Sequence, residues 1–182
     1  DAEELHKRVL RNELNNIRSL TDNLDAKALE KATELIFNAN RIYILGLRTS
    51  FTLANYLGFY LDVILDNVKV LNNSGINSIF EQLIRVKKGD LLISISFPRY
   101  SNRTLDAVKF AKEQDCKILA ITDTEASPFC ALGDVSLLAK SNIVSFVDSL
   151  VAPMCLLNSL IISIGIKLFR SEEHTSELQS LN

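Results

Sequence analysis

"VKKGDLLISISFPRYSNRT", residues 86–104, changes character twice in nineteen positions. Leu91, Leu92, Ile93 and Ile95 make a near-continuous apolar run rather than an alternating one, so this strand is expected to be covered on both faces. Gly89-Asp90 closes the helix before it, and the polar residues after Pro98 open the helix that follows. Where strand hands over to helix stand four hydroxyls, Ser94, Ser96, Ser101 and Thr104, around Pro98, Arg99 and Tyr100. Hydroxyls gathered at such a junction point to a bound anion.

The same sequence of apolar strand, turn and amphipathic helix recurs from residue 41 onward, roughly every 25 residues, which is the cadence of βαβ units. Strands are expected over 41–46, 67–71, 90–96, 116–122 and 134–139, and Ser127-Pro128 is an N-cap followed by proline at the first helical position. The fold class is therefore α/β: a three-layer αβα sandwich around a five-stranded parallel sheet. Residues 1–40 read as a connector of two helices. The first carries Leu5, Val9, Leu14, Ile17 and Leu20 on one stripe; the second follows an Asp25 N-cap and turns Leu29, Ala32, Leu35 and Ile36 to one side. The domain proper is expected over 41–169, with a last helix from about Ser145 to Phe169. Its stretch 149–169 is apolar enough to raise a membrane span, but Asp148, Pro153 and Asn158 favour a helix buried in the core or in a subunit interface. The polar, aperiodic tail 170–182 resembles the in-frame translation of a sequencing adapter and is expected to be non-native.

Of 182 residues, 47% are hydrophobic and 23% charged, enough for one core; the net charge of -2 and the lack of a Lys/Arg run give no face for a nucleic-acid backbone. Cys116, Cys130 and Cys155 are widely spaced and far from His6 and His174, so no metal or other cofactor is expected, and the thiols read as small buried hydrophobes in a reducing cytoplasm. The opening at Asp1, without an initiator methionine, leads us to expect a preceding segment.

Ligands of open parallel sheets sit beyond the carboxyl ends of the strands, at the point where strand order reverses. With order 2-1-3-4-5 the loops leaving the first and third strands, 46–54 and 96–104, converge there. Ser50, Ser96 and Ser101 can then supplement the free N–H groups of two helix N-termini around a phosphate. Taken singly, Ser50 and Ser101 read as helix caps; taken as a pair across the switch point they read as an anion site.

"RIYILGLRTS", "VKKGDLLISIS" with the serine-rich loop after it, "CKILAITDTEASPFCALGDVSLL" and the long final helix together resemble the sugar isomerase (SIS) domain, over about residues 10–169. The "SFPRYSNRT" loop is similar to that of the effector domain of RpiR-type bacterial transcription regulators. The resemblance implies a phosphosugar-binding sandwich, dimeric or tetrameric, that follows a helix-turn-helix domain; DNA would be reached only through that further domain, and no membrane is involved. Carried over by position, the phosphate-contacting residues are Thr49, Ser50, Ser96 and Ser101, with Arg48, Arg99 and Thr104 as further ligand contacts. The loop departs from the commoner Ser-x-Ser-Gly-x-Thr pattern at Pro98 and Arg99, and Arg48 stands where glycine is usual. These changes remove backbone donors and conformational freedom. Arg48 and Arg99 either restore affinity as forked cationic donors or point to solvent.

A sugar-phosphate isomerase would need a base. Glu81, Asp123 and Glu125 are the candidates, each reading as a surface or capping carboxylate, and histidine is absent from the expected sandwich. No catalytic residue is therefore assigned, and a sensor is favoured over a stand-alone isomerase; a pure oligomerisation module is the third alternative.

Overall fold

A computed structural model of the chain describes residues 1–73 and 78–180. Its elements, in order, are α1 (Ala2–Asn23), α2 (Ala26–Asn38), β1 (Ile42–Gly46), α3 (Thr49–Ile64), β2 (Val68–Val70), α4 (Ile79–Leu83), β3 (Leu91–Ile95), α5 (Asn102–Glu113), β4 (Lys117–Thr122), α6 (Pro128–Leu132), β5 (Val135–Leu138) and α7 (Val151–Ser180). The strands form one parallel sheet in the order β2-β1-β3-β4-β5. Every residue of β1 and β3 is buried, whereas the edge strands β2 and β5 are only partly covered, as expected for a sheet held between helix layers.

Alternation along the strands divides the core in two. Ile42, Ile44, Ile93, Ile95, Leu119 and Ile121 face α2, α3 and α7, packing on Ile36, Leu53, Leu57, Leu156 and Leu160. Tyr43, Leu45, Leu92, Ile118 and Ala120 face the other way, onto Leu83 of α4, Ala107 and Val108 of α5, and Phe129 of α6. Local signals place the helix starts. Asp25 accepts from the Ala28 N–H, Ser78 and Glu81 close a reciprocal capping box, and Ser127 caps α6 with Pro128 at its first position.

Two terminal expectations are corrected. α1 buries only part of the stripe Leu5, Val9, Leu14, Ile17 and Leu20: Leu5 and Leu14 are exposed, Val9 and Ile17 are half-buried, Leu20 packs against the core, and the one fully buried residue on the helix is Asn16, which is hydrogen-bonded to the segment before α7. α7 begins at Val151 rather than near Ser145, because Ser145 has φ 68°, Val144 bridges Val147, and the chain enters the helix only just before Pro153, in a first turn that tolerates proline. α7 also continues past Phe169 to Ser180, with the side chains of residues 170–177 exposed; the last two tail residues, 181 and 182, lie outside the described residues. By length and composition α7 could cross a membrane, yet Ala152, Leu156, Leu157, Leu160 and Ile164 are fully buried in the core.

Of the three cysteines only Cys116 is buried; Cys130 and Cys155 are half-buried. Burial, and then the nearby Asp90 carboxylate, push the Cys116 thiol up to about 12. We predict that a thiol reagent at mildly alkaline pH labels Cys130 and Cys155 in the folded protein and leaves Cys116 untouched, as read by peptide mass mapping. The unfolded chain releases the Cys116 proton above pH 9.0 while the fold retains it to about 12, so this thiol favours the fold fully below that window and its contribution is lost as pH rises through it, by at most about 1.4 kcal/mol per unit.

Candidate functional site at the carboxyl edge of the sheet

β1 and β3 run side by side with Ile42 level with Leu91 and Gly46 level with Ile95. The loops that leave them therefore start at the same height on the carboxyl edge, at the reversal of strand order. Gly46 lets the first turn of α3 come down onto that edge: a Cβ there would run into the Ser50 carbonyl oxygen and reach within 2.8 Å of its carbon. Arg48 precedes α3 as its N-cap with φ 57° and ψ -127°, a conformation that suits glycine, and it provides no side-chain cap. The first amides of α3 are thus left without side-chain caps from Arg48.

Ser50 and Ser96 are 7% and 5% exposed, and neither hydroxyl has a hydrogen-bond partner among the described residues. Their side chains lie at the carboxyl edge with the hydroxyl oxygens not sealed from solvent, open to a polar partner. Deeper in β3, Ser94 Oγ is fully buried and unpaired as well. Ser101 is occupied differently: it is the N-cap of α5 and accepts from the Thr104 N–H at 3.3 Å. Thr104 is buried beneath that turn. Thr49, the first residue of α3, donates its hydroxyl to Asp148 at 2.7 Å. Arg48 and Arg99 are exposed, and neither is paired with a carboxylate among the described residues.

The neighbouring loop after β4 is internally satisfied. Tyr100 packs edge-on against Phe129 with ring centroids 5.8 Å apart and donates its hydroxyl to Asp123; burial, and then that carboxylate, raise the phenol above its ordinary value. Thr122 donates to Ser127 at 2.8 Å. Of the three candidate bases, Glu81 is used in the α4 capping box, Asp123 holds Tyr100, and Glu125 is exposed. A hollow of about 550 Å³ lined by Asn23, Asp123, Glu125 and Lys140 opens beside α1 at this edge. A larger groove of about 750 Å³ lies between α2 and α7, away from the strand ends and walled partly by Arg170, Ser171 and His174 of the tail.

Sequence reasoning did not find the roles of Gly46, Asp148 and Asn16. For Gly46 a signal existed, a glycine ending a strand just before a helix; Asp148 and Asn16 act through contacts across most of the chain, which no local pattern announces.

The SIS domain profile matches residues 35–163. The chain belongs to the SIS domain family. At 26% identity over 166 residues, this SIS domain is similar to an HTH-type transcriptional regulator of Caldanaerobacter subterraneus subsp. tengcongensis, with 87% of the chain and 58% of that protein covered. The sugar isomerase domain of an RpiR transcription factor from Sphaerobacter thermophilus superposes with a TM-score of 0.86 at 26% identity, covering 98% of both chains. The fold is shared by the Vibrio vulnificus NanR protein complexed with ManNAc-6P, with a TM-score of 0.77 at 18% identity, covering 96% of this chain and 68% of that one. The chain spans about half the length of the curated regulators it matches, 58% and 47%.

In this SIS domain the two kinds of serine are separable by experiment. Ser101→Ala is expected to lower stability in urea unfolding by about 1 kcal/mol, the usual worth of an N-cap, whereas Ser96→Ala, which removes a hydroxyl without a protein partner, should leave it within about 0.5 kcal/mol.

Proposed function

We propose that this SIS domain is the phosphosugar-sensing effector module of an RpiR-type regulator, cytoplasmic and non-enzymatic, controlling transcription of carbohydrate-metabolism genes. The observation that carries this reading is the pair of unpartnered hydroxyls on two buried residues, Ser96 just past the end of β3 and Ser50 in the first turn of α3, which follows the adjacent strand β1. A phosphate at that point meets the positive end of the α3 dipole, the two serine hydroxyls, and Thr49 and Ser101 at the starts of the two helices, while the Ser50 and Phe51 N–H groups donate to the Leu47 and Arg48 carbonyls, each at 3.1 Å. Arg48 and Arg99, exposed and not paired with a carboxylate among the described residues, are the cations that compensate for the backbone donor missing at Pro98; Thr104 supports the α5 turn from below. NanR holding ManNAc-6P on the same fold favours a hexose derivative among sugar phosphates.

The sensor is preferred to an isomerase because Glu81 and Asp123 are engaged in structural hydrogen bonds and Glu125 stands exposed, with no titratable group hydrogen-bonded to it. In the whole protein, residues 1–40 serve as the connector from a helix-turn-helix domain, and residues 170–182 are a non-native tail. DNA contact belongs to the further domain. Phe59 and Val63 on α3 and Ile162, Ile166 and Phe169 on α7 are 48–69% exposed, an apolar surface on two packed helices that suits a dimer or tetramer.

Calorimetry with ManNAc-6P and glucose 6-phosphate should show binding of at least one, weakened roughly a hundredfold or more in the Ser50→Ala, Ser96→Ala double variant, the equivalent of losing two charge-assisted hydrogen bonds. Unchanged affinity would remove these serines from the site. No turnover of hexose or pentose phosphates is expected; product formation abolished by Glu81→Gln or Glu125→Gln would establish the isomerase instead.

A further inference from the structure

The anion place at the start of α3 already has a neighbour of its own charge. The Asp148 carboxylate accepts the Thr49 hydroxyl at 2.7 Å, at the first residue of the helix. Asp148 ends a segment, residues 142–149, that joins the sheet to α7 and is held by polar contacts. Ser149, 2% exposed, accepts from Asn16 Nδ2 at 3.1 Å and donates to Glu13. The Asn142 carbonyl at the other end accepts from Asn12 at 2.8 Å and from Asn16 at 3.3 Å. Between these ties Ile143, Phe146 and Val147 are exposed, and Ser145 has a positive φ. One side of the segment is thus fastened to the phosphate end of α3 and the other to the amide face of α1.

We propose that Asp148 is an internal stand-in for the ligand's phosphate, and that its displacement on binding releases residues 142–149 from α1. The proposal rests on the phosphosugar reading above and names the regulation of that same site. Thr49 has one proton to donate, so it serves either the carboxylate or the phosphate. A phosphate within a few ångströms of Asp148 also repels it, strongly where water is partly excluded. Asp148 must then withdraw, and Ser149, its chain neighbour, leaves Asn16 and Glu13. α1 loses the contact that buries its central amide, and the occupied site is read at the helix that leads toward the N-terminus. Coupling of this kind is reciprocal, so loosening α1 must strengthen phosphate binding.

The reciprocal effect gives the test. Inorganic phosphate is titrated by calorimetry into the full chain, into Asp148→Asn, and into Asn16→Ala and Ser149→Ala, two variants remote from the phosphate. Amide hydrogen exchange of residues 10–20 and 142–149 is followed with and without phosphate. Removing the carboxylate charge is expected to tighten phosphate binding about tenfold, the scale of one partly screened charge repulsion. Ser149→Ala and Asn16→Ala should tighten it a few-fold, and phosphate should speed exchange in both segments of the unaltered protein. Should Asn16→Ala fail to fold, Ser149→Ala carries the same comparison. Equal affinities in the unaltered chain and Asp148→Asn, with binding still lost in the Ser50→Ala, Ser96→Ala variant, would overturn the stand-in and leave the phosphate site intact. Unchanged exchange on saturation would likewise overturn the release of α1. Absence of phosphate binding to every protein in the series would overturn the site and the stand-in together.

Discussion

Gly46 and Ile95 end neighbouring parallel strands at the same level, and that register sets the place of each group in the candidate site. Because β1 and β3 diverge into connections on opposite sides of the sheet, a crevice is left between their loops. α3 can close on the crevice only because residue 46 has no side chain to collide with the Ser50 carbonyl. The result is a helix N-terminus, with its partial positive charge, delivered to the edge that holds the hydroxyls of Ser50 and Ser96, which no other group in the described chain satisfies. An anion is the occupant proposed for this arrangement, since it would meet the hydroxyls and the dipole at once.

The departures from the commoner loop pattern shift the balance of that site from backbone to side chain. Pro98 cannot donate, and Arg48 takes up a positive φ that costs an arginine something on the order of 1–3 kcal/mol. Strain held at the turn into α3, beside exposed guanidinium groups, suits the recognition site proposed at this edge. The neighbouring carboxylates point the same way, for Glu81 and Asp123 are engaged in capping and in holding Tyr100, uses that favour rigidity over proton transfer.

Much of this was legible before the fold was seen. The strand positions agree within one or two residues at each end because burial on both faces writes an unbroken apolar run, and the caps at Asp25, Ser101 and Ser127 follow from side-chain chemistry confined to a single turn. The errors lie where tertiary contacts overrule local pattern. The leucines of α1 suggested an apolar inner face, but Leu5 and Leu14 are left at the surface while Asn16 is buried by partners more than a hundred positions away. The run before α7 has the composition of a helix, yet Asp148 and Ser149 are engaged with α3 and α1, and the helix waits until Val151. Ser50 and Ser101 looked equivalent in sequence; one proved to be a cap and the other an unpaired hydroxyl, a difference decided by which helix position each occupies.

The most direct test of the site is the map of backbone amide shifts in a 1H–15N spectrum during titration with ManNAc-6P. The largest changes are predicted at Thr49, Ser50 and Phe51 in the first turn of α3 and at Ser96, Asn102 and Arg103 around the second loop. Changes centred instead on the α2–α7 groove, around Glu34 and Lys167, would contradict the assignment of the ligand to the carboxyl edge of the sheet.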